Sequence, residues 1–287
     1  MDLFAQVFGR LAVLGCVCLG LGGCAGSAPL SGEEAWEQFS SERRSDFSVR
    51  YSERDLVADV YLPPRDRYGS EAGKPVLILI HGGGWRGGSP DLLAPHSRYF
   101  SALGWVCVNI EYGLAKKGVS TLVDAEADIV AAWNWVVEEG AVRKWDLDRV
   151  AAIGESSGGQ LACVLGILPS GGKSRVEKLV LANPVLDLKP LKWTRSIWEE
   201  SGTEADLHSP LRHLRAGIPK LLVIHGERDA TVPVAQAIEF ERLGTEAGAL
   251  VELRALDGVE HAFLLEGRLE ESQQKAILED VVRFLRP

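Results

Sequence analysis

Residues Val150 to Gly166 read VAAIGESSGGQLACVLG, an apolar run that passes through Gly-Glu-Ser-Ser-Gly-Gly into a second apolar run. Two readings compete for the middle. It is either an ordinary Gly/Ser turn or a turn that holds a serine strained and exposed so that its oxygen can attack a substrate. Gly154-Glu155-Ser156-Ser157-Gly158 fits the pattern G-x-S-x-G in one register only, with Ser156 at the centre. The residues before it suit a buried strand and those after it a helix, the context in which this pattern makes a nucleophile elbow. Such a turn forces its central residue into an unfavourable backbone conformation, and small flanking residues make room for it. The serine hydroxyl then stands above the sheet, near the positive end of the following helix.

Working outward, the chain alternates between strand and helix signals. FSVRYS and LVADVYLP, from Phe47 onward, show period-two patterning and predict an antiparallel pair. KPVLILIHGGGW, WVCVNIEY, DRVAAIGE, VEKLVLANP and IPKLLVIHG predict strands, the first two as buried runs, and ALVELRAL a last one. Helices are expected over PDLLAPHSRYFSALG, over TLVDAEADIVAAWNWVVEEG ending at Gly140, over SGGQLACVLGIL, over VAQAIEFERLGTEAG and over QQKAILEDVVRFL. This alternation predicts the α/β class, a mostly parallel sheet with helices on both faces. Residues 186–215 interrupt the rhythm and predict a small cap inserted over the carboxyl edge of the sheet, where ligands bind in such folds.

Two further stretches bear on the chemistry. HGGGW, His81 to Trp85, follows a buried strand, and three consecutive glycines are costly to order. One reason to keep them is that bare backbone N–H groups can approach an anion, as in an oxyanion hole. A flexible loop or a phosphate cradle are the rival readings, although no G-K-[ST] follows. The donors expected at the oxyanion are the N–H groups of Gly83, Gly84 and Ser157. A serine also needs a base, and the base an orienting carboxylate. LLVIHGERDATVP places Asp229 just past a strand, and ALDGVEHAFLL places His261 in the next such loop. Of the six histidines only His261 follows this acid, giving the order Ser, Asp, His that the elbow architecture uses. Glu260 and Asp257 are alternative orienters, the first with poor geometry because it adjoins His261, the second better suited to a turn with Gly258.

Taken together, these stretches resemble an α/β-hydrolase esterase over about Pro75 to Pro287. PVLILIHGGGWRGG and GESSGGQLA are similar to the HGGGW and GxSAGGxLA patterns of bacterial acetyl/feruloyl-type esterases. VIHGERDATVPVAQAIEFERL and GVEHAF resemble their acid and base motifs, and DLDRVAAIG and SPLRHL fit the same group. The hormone-sensitive-lipase group and kynurenine formamidases share the glycine loop. The resemblance implies Ser156 as nucleophile, Asp229 as acid, His261 as base and Gly82 to Gly84 as oxyanion loop, with no metal or organic cofactor. Ser157 stands where the group usually has alanine, and EYGLAK lacks its usual Tyr-Arg pair. The implied reaction is carboxylester hydrolysis of short or aromatic acyl groups, with acetyl or feruloyl groups on carbohydrate as one substrate class. An amidase or peptidase of the same fold, a lipase, and a non-enzymatic scaffold are the alternatives. Trp85, Trp193 and Trp198 could stack on a sugar or an aromatic acyl group, or could pad the cap's own small core.

A net charge of −9 argues against a nucleic-acid partner, because phosphate binding needs clustered cations. The first residues read as a leader. An apolar, glycine-rich run from Leu11 to Leu21 follows Arg10 and ends in Leu21-Gly22-Gly23-Cys24, which resembles a bacterial lipobox. On this reading residues 1–23 are a signal peptide, Cys24 carries lipid, residues 24–45 are a polar tether and 46–287 the catalytic domain. A buried hairpin or a plain cleaved signal are the alternatives. Ala25, rather than Asp, after the cysteine implies the outer membrane of a bacterial envelope, or secretion if Cys24 is not lipidated. Cys107 and Cys163 then remain as small buried hydrophobes, and neither a disulfide framework nor a zinc site is indicated.

Overall fold

A computed structural model describes residues 30–116, 119–173, 176–265 and 267–286. The expected signal segment 1–23, Cys24 and the tether up to residue 29 lie outside the described residues. Eight strands form one sheet: β1 (Phe47–Arg50), β2 (Val57–Tyr61), β3 (Pro75–Ile80), β4 (Val106–Ile110), β5 (Asp146–Glu155), β6 (Lys178–Ala182), β7 (Lys220–Gly226) and β8 (Val251–Leu256). Their order is β1-β2-β4-β3-β5-β6-β7-β8. β2 runs antiparallel to β1 and β4, and every pairing from β4 through β8 is parallel. The helices are α1 (Gly32–Phe39), α2 (Arg65–Tyr68), α3 (Ala94–Ala102), α4 (Leu122–Arg143), α5 (Ser157–Ala162), α6 (Arg195–Glu200), α7 (Ala235–Glu246) and α8 (Glu271–Leu285).

The near-continuous apolar strands follow from burial on both faces. Successive side chains of a strand point to opposite sides, and β3 divides its residues accordingly. Val76, Ile78 and Ile80 pack with Ile129 and Val136 of α4 and Phe240 of α7. Leu77 and Leu79 pack with Phe100 of α3 and Leu278 and Val281 of α8. The outer strands β1 and β8 alternate half-buried and exposed positions over most of their length, as edge strands should.

Strand order places the functional edge. The chain leaves β3 toward β4 on one side, and β5 lies on the other. That divergence is the switch point at which a crevice opens beyond the strand ends. Ile80 is in register with Gly154, so the glycine loop and the serine turn emerge side by side.

Three expectations are corrected. The stretch 24–45 is not all tether: Ser31 and Glu34 form a capping box, and Ala35 and Phe39 of α1 are buried one turn apart. Phe39 stacks on Trp36 and meets His96 of α3 edge-on, and Arg98 donates to the Phe39 carbonyl at 2.7 Å. Two helical turns are too short to display a convincing period among polar neighbours. The helix expected over residues 157–168 is only α5, followed by a 3₁₀ turn at Cys163–Leu165. Gly166 ends it because its backbone packs on the Pro219 ring, where a Cβ would lie 2.5 Å away. The long helix runs past Gly140 to Arg143, with Lys144 in the left-handed conformation as its cap.

Candidate active site

β5 ends at Glu155 and α5 begins at Ser157, which leaves Ser156 to make the whole turn at φ 53°, ψ −118°. A non-glycine residue in this region is strained and persists only where its surroundings over-determine it. Here the Ser156 N–H donates to the Ala182 carbonyl at 2.8 Å, and the Ser156 carbonyl accepts from Gly159 and Val185 at 3.0 and 3.2 Å. Gly158 lets α5 lie against the end of β3, since a Cβ there would sit 2.3 Å from the Ile80 carbonyl oxygen. The turn is thus locked between β3 and β6.

Two loops bring the other groups. Asp229 follows β7, and its Oδ1 accepts the N–H groups of Thr231 and Val232 at 2.9 and 2.8 Å, which fixes the carboxylate. His261 follows β8; its Nδ1 donates to Asp229 Oδ2 at 2.6 Å, and its Nε2 lies 2.9 Å from Ser156 Oγ. The Asp229 side chain is fully buried, while that of His261 is 18% exposed. Burial pulls the Asp229 carboxyl upward, but hydrogen bonds from His225, His261 and the Val232 N–H outweigh it and hold the group well below the usual carboxylate range. An ionised Asp229 accepts a hydrogen bond from His261 Nδ1–H, the tautomer that turns the Nε2 lone pair toward Ser156 Oγ. Glu260 and Asp257 make no such contact in the described hydrogen-bond network.

His225 is a participant that sequence reading placed only as the end of a strand. It is completely buried; its Nε2 donates to the Val232 carbonyl at 2.8 Å and lies 3.3 Å from Asp229 Oδ2. It backs the acid loop from behind. The spacing His225-x-x-x-Asp229 was visible, yet a lone buried histidine carries no signal until the loop's path is known.

The glycine loop abuts the serine turn, where a Cβ on Gly82 would lie 3.2 Å from the Ser156 Cβ. The N–H groups of Gly83 and Gly84 donate to no acceptor among the described residues. Ser157 is the first residue of α5, whose N–H has no intrahelical acceptor. These three donors can receive a negatively charged oxygen beside Ser156.

The tryptophans divide. Trp85 is fully buried at φ 59° and donates from Nε1 to Gln160 Oε1 at 2.9 Å, so it is not the substrate-facing surface expected of it. Trp198 is corrected likewise: it packs against the main core, with its Nε1 buried. Trp193 is 40% exposed. Its ring lies 5.9 Å from that of Trp85 and in contact range of Gly84, and its Nε1 donates to the Thr231 carbonyl at 3.1 Å. The segment between β6 and β7, which includes α6, thereby reaches over both the glycine loop and the acid loop.

An apposed serine, histidine and carboxylate beside N–H groups without an acceptor on an α/β sheet is an arrangement with which nucleophilic acyl transfer can be carried out. Residues 77–265 match the family described by the alpha/beta hydrolase fold, and the chain belongs to that family. The probable carboxylic ester hydrolase LipM of Mycobacterium tuberculosis is 29% identical over 221 residues, 67% of this chain and 50% of that protein. The chain spans about half the length of the mycobacterial relatives LipM and LipC. Ethyl acetate hydrolase of Pseudomonas putida is 25% identical over 291 residues, 87% of this chain and 88% of that protein. The solved structure of Est2, an esterase from Thermogutta terrifontis, superposes with a TM-score of 0.76 at 29% identity, covering 83% of this chain and 91% of that one.

Glu155, next to Ser156, has its carboxyl pushed up to about 7 by burial, partly offset by the Leu264 N–H and the charge of Arg268, and one of its oxygens has no partner. A raised carboxyl is protonated in the fold but ionises in the unfolded chain, so stability falls as pH rises from 4.5 to about 7 and stays low above it. Glu155→Gln mimics the neutral acid. It is expected to be more stable than the wild type at pH 8, by up to about 3 kcal/mol, and to lack this slope. Urea unfolding of both proteins between pH 4 and 8 measures it, and parallel curves would contradict the assignment.

Proposed function

We propose that this protein is a serine carboxylester hydrolase. The observation that carries the reading is the position of His261, which faces Ser156 Oγ at 2.9 Å with one nitrogen and Asp229 at 2.6 Å with the other. His261 takes the Ser156 proton as Oγ attacks the ester carbonyl, and the oxyanion is held by Gly83, Gly84 and Ser157. Losing one such donor typically costs about 3 kcal/mol. Collapse expels the alcohol with the proton from His261 and leaves an acyl-serine. Water, deprotonated by His261, then releases the carboxylic acid and restores Ser156.

The substrates are esters of short or aromatic acyl groups, with acetylated or feruloylated carbohydrate as the finer class. Trp193 supports this: its exposed ring lies beside the glycine loop and offers a flat face to a sugar or phenyl ring. Est2 of Thermogutta terrifontis has been solved with butyrate and with propionate, which fits the short-acyl reading. Attachment to a bacterial envelope through lipid on Cys24 belongs to the same proposal, resting on the leader sequence alone.

Purified protein is expected to hydrolyse p-nitrophenyl acetate and butyrate and feruloyl or acetyl-xylo-oligosaccharide esters better than p-nitrophenyl esters beyond about eight carbons. Ser156→Ala is expected to lower turnover by about 10⁵-fold while remaining folded. Undiminished hydrolysis by that variant refutes the nucleophile, and preference for long chains refutes the substrate class. In a bacterial host, Cys24→Ser is expected to move the protein from the membrane to the soluble fraction; unchanged membrane retention contradicts the anchor.

A further inference from the structure

Behind the glycine loop lies a buried chain of polar side chains that the acyl-transfer steps do not use. Trp85 Nε1 donates to Gln160 Oε1 at 2.9 Å. Gln160 Nε2 donates to Glu126 Oε1 at 2.8 Å and to the His208 carbonyl at 3.1 Å. His208 Nδ1 donates to the same Glu126 oxygen at 2.8 Å, and its Nε2 meets Thr203 Oγ1 at 2.9 Å. Trp85, Gln160 and Glu126 are at most 1% exposed and His208 is 6% exposed. The chain joins the glycine loop, the first helix after the nucleophile, the N-terminal turns of the sheet's long covering helix α4, and the inserted cap.

Burying a carboxylate is costly unless hydrogen bonds compensate it, so this arrangement is not filler. Each donor here is spoken for by one acceptor, which leaves the Gln160 amide a single orientation: its oxygen must face the indole because its nitrogen serves Glu126 and the His208 carbonyl. Trp85 needs such a clamp. It holds φ 59° directly after Gly84, a conformation unfavourable for a bulky residue. The indole is therefore the handle by which the preceding N–H groups are aimed. Gln160 stands four residues beyond Ser156, so the clamp refers the oxyanion donors to the same short helix that follows the nucleophile.

We infer that Gln160, Glu126 and His208 are positioning residues that set the oxyanion loop through Trp85 and tie its geometry to the seating of the cap. The inference rests on the proposed ester-hydrolase reading for its kinetic consequence, though not for the coupling itself. Cap residues Thr203 and His208 and the loop residue Trp85 lie at opposite ends of the chain. A disturbance at one end is transmitted through Glu126 and Gln160 to the other.

The test uses the full-length protein, in two readouts. The first is kinetic, on p-nitrophenyl butyrate. Trp85→Phe, which keeps the ring and removes the N–H, is expected to lower kcat about tenfold with KM changed less than about twofold, the pattern of a lost transition-state interaction. His208→Leu, at the far end, is expected to lower kcat about fivefold in the same way, His208→Gln to recover most of it by donating to Glu126, and the double variant to fall short of the product of the singles. The second readout needs no turnover: the Trp85 indole N–H resonance, assigned by its loss in Trp85→Phe, is expected to shift in His208→Leu while the indole resonances of Trp36 and Trp105, in the core on the other face of the sheet, stay in place. An unmoved resonance together with wild-type kcat in the folded variants overturns the inference and leaves the ester-hydrolase reading standing. Absence of turnover in the wild type would instead strike that reading, and the resonance would still decide the coupling. If His208→Leu does not fold, Trp85→Phe and Glu126→Gln, which weakens the acceptor shared by Gln160 and His208, decide: unchanged kcat in the first, or an unmoved Trp85 resonance in the second, is an overturning result.

Discussion

Ser156 is held at φ 53° by hydrogen bonds to β6 and to the turn that follows it, with Gly158 letting the next helix close onto β3. A conformation that costs of order 1–3 kcal/mol at an isolated residue survives because the most buried part of the sheet will accept no other path. The rest of the site depends on this. Because β3 and β5 are neighbours in register, the glycine loop emerges beside the serine turn; because β7 and β8 follow outward, their loops deliver the carboxylate and the imidazole from the far side.

Electrostatics complete what the backbone begins. Asp229 is buried without a lysine or arginine partner among the described residues, and is kept ionised by four donors: two N–H groups of its own loop, His261, and His225 behind it. A charge stabilised by fixed dipoles rather than by solvent can bear on the imidazole in front of it. Glu155, next to Ser156, shows the opposite outcome, since burial with few donors raises its carboxyl. Two carboxylates within one site differ in state because their hydrogen-bond surroundings differ.

Much of this was legible in the chain. The α/β class and the parallel sheet followed from strand–helix alternation, and the motif order Ser156, Asp229, His261 singled out the three side chains that the structure brings into contact. Periodicity and motifs report local geometry, and these features are local. What they missed depends on tertiary burial. Trp85 and Trp198 look like ligand platforms in sequence, but Trp85 is buried with its Nε1 bonded to Gln160 of α5, and Trp198 packs against the core. Glu126 is one of three acidic residues early in α4 and gains meaning only when His208, distant in sequence, meets it, while His225 does so only once the loop returns Asp229 and Val232 to it. The docking of α1 rests on Ala35, Trp36 and Phe39, too few apolar residues to rise above their polar neighbours.

The central claim is that the hydroxyl at position 156 is chemically activated by the imidazole at 261, not merely adjacent to it. Intact-mass and peptide mass spectrometry after brief exposure to a fluorophosphonate measures this without knowledge of the natural substrate. The account predicts one adduct per chain, confined to the peptide containing Ser156, with its rate of formation collapsing in His261→Ala. A protein that stays unlabelled, or labels equally fast without His261, would contradict it.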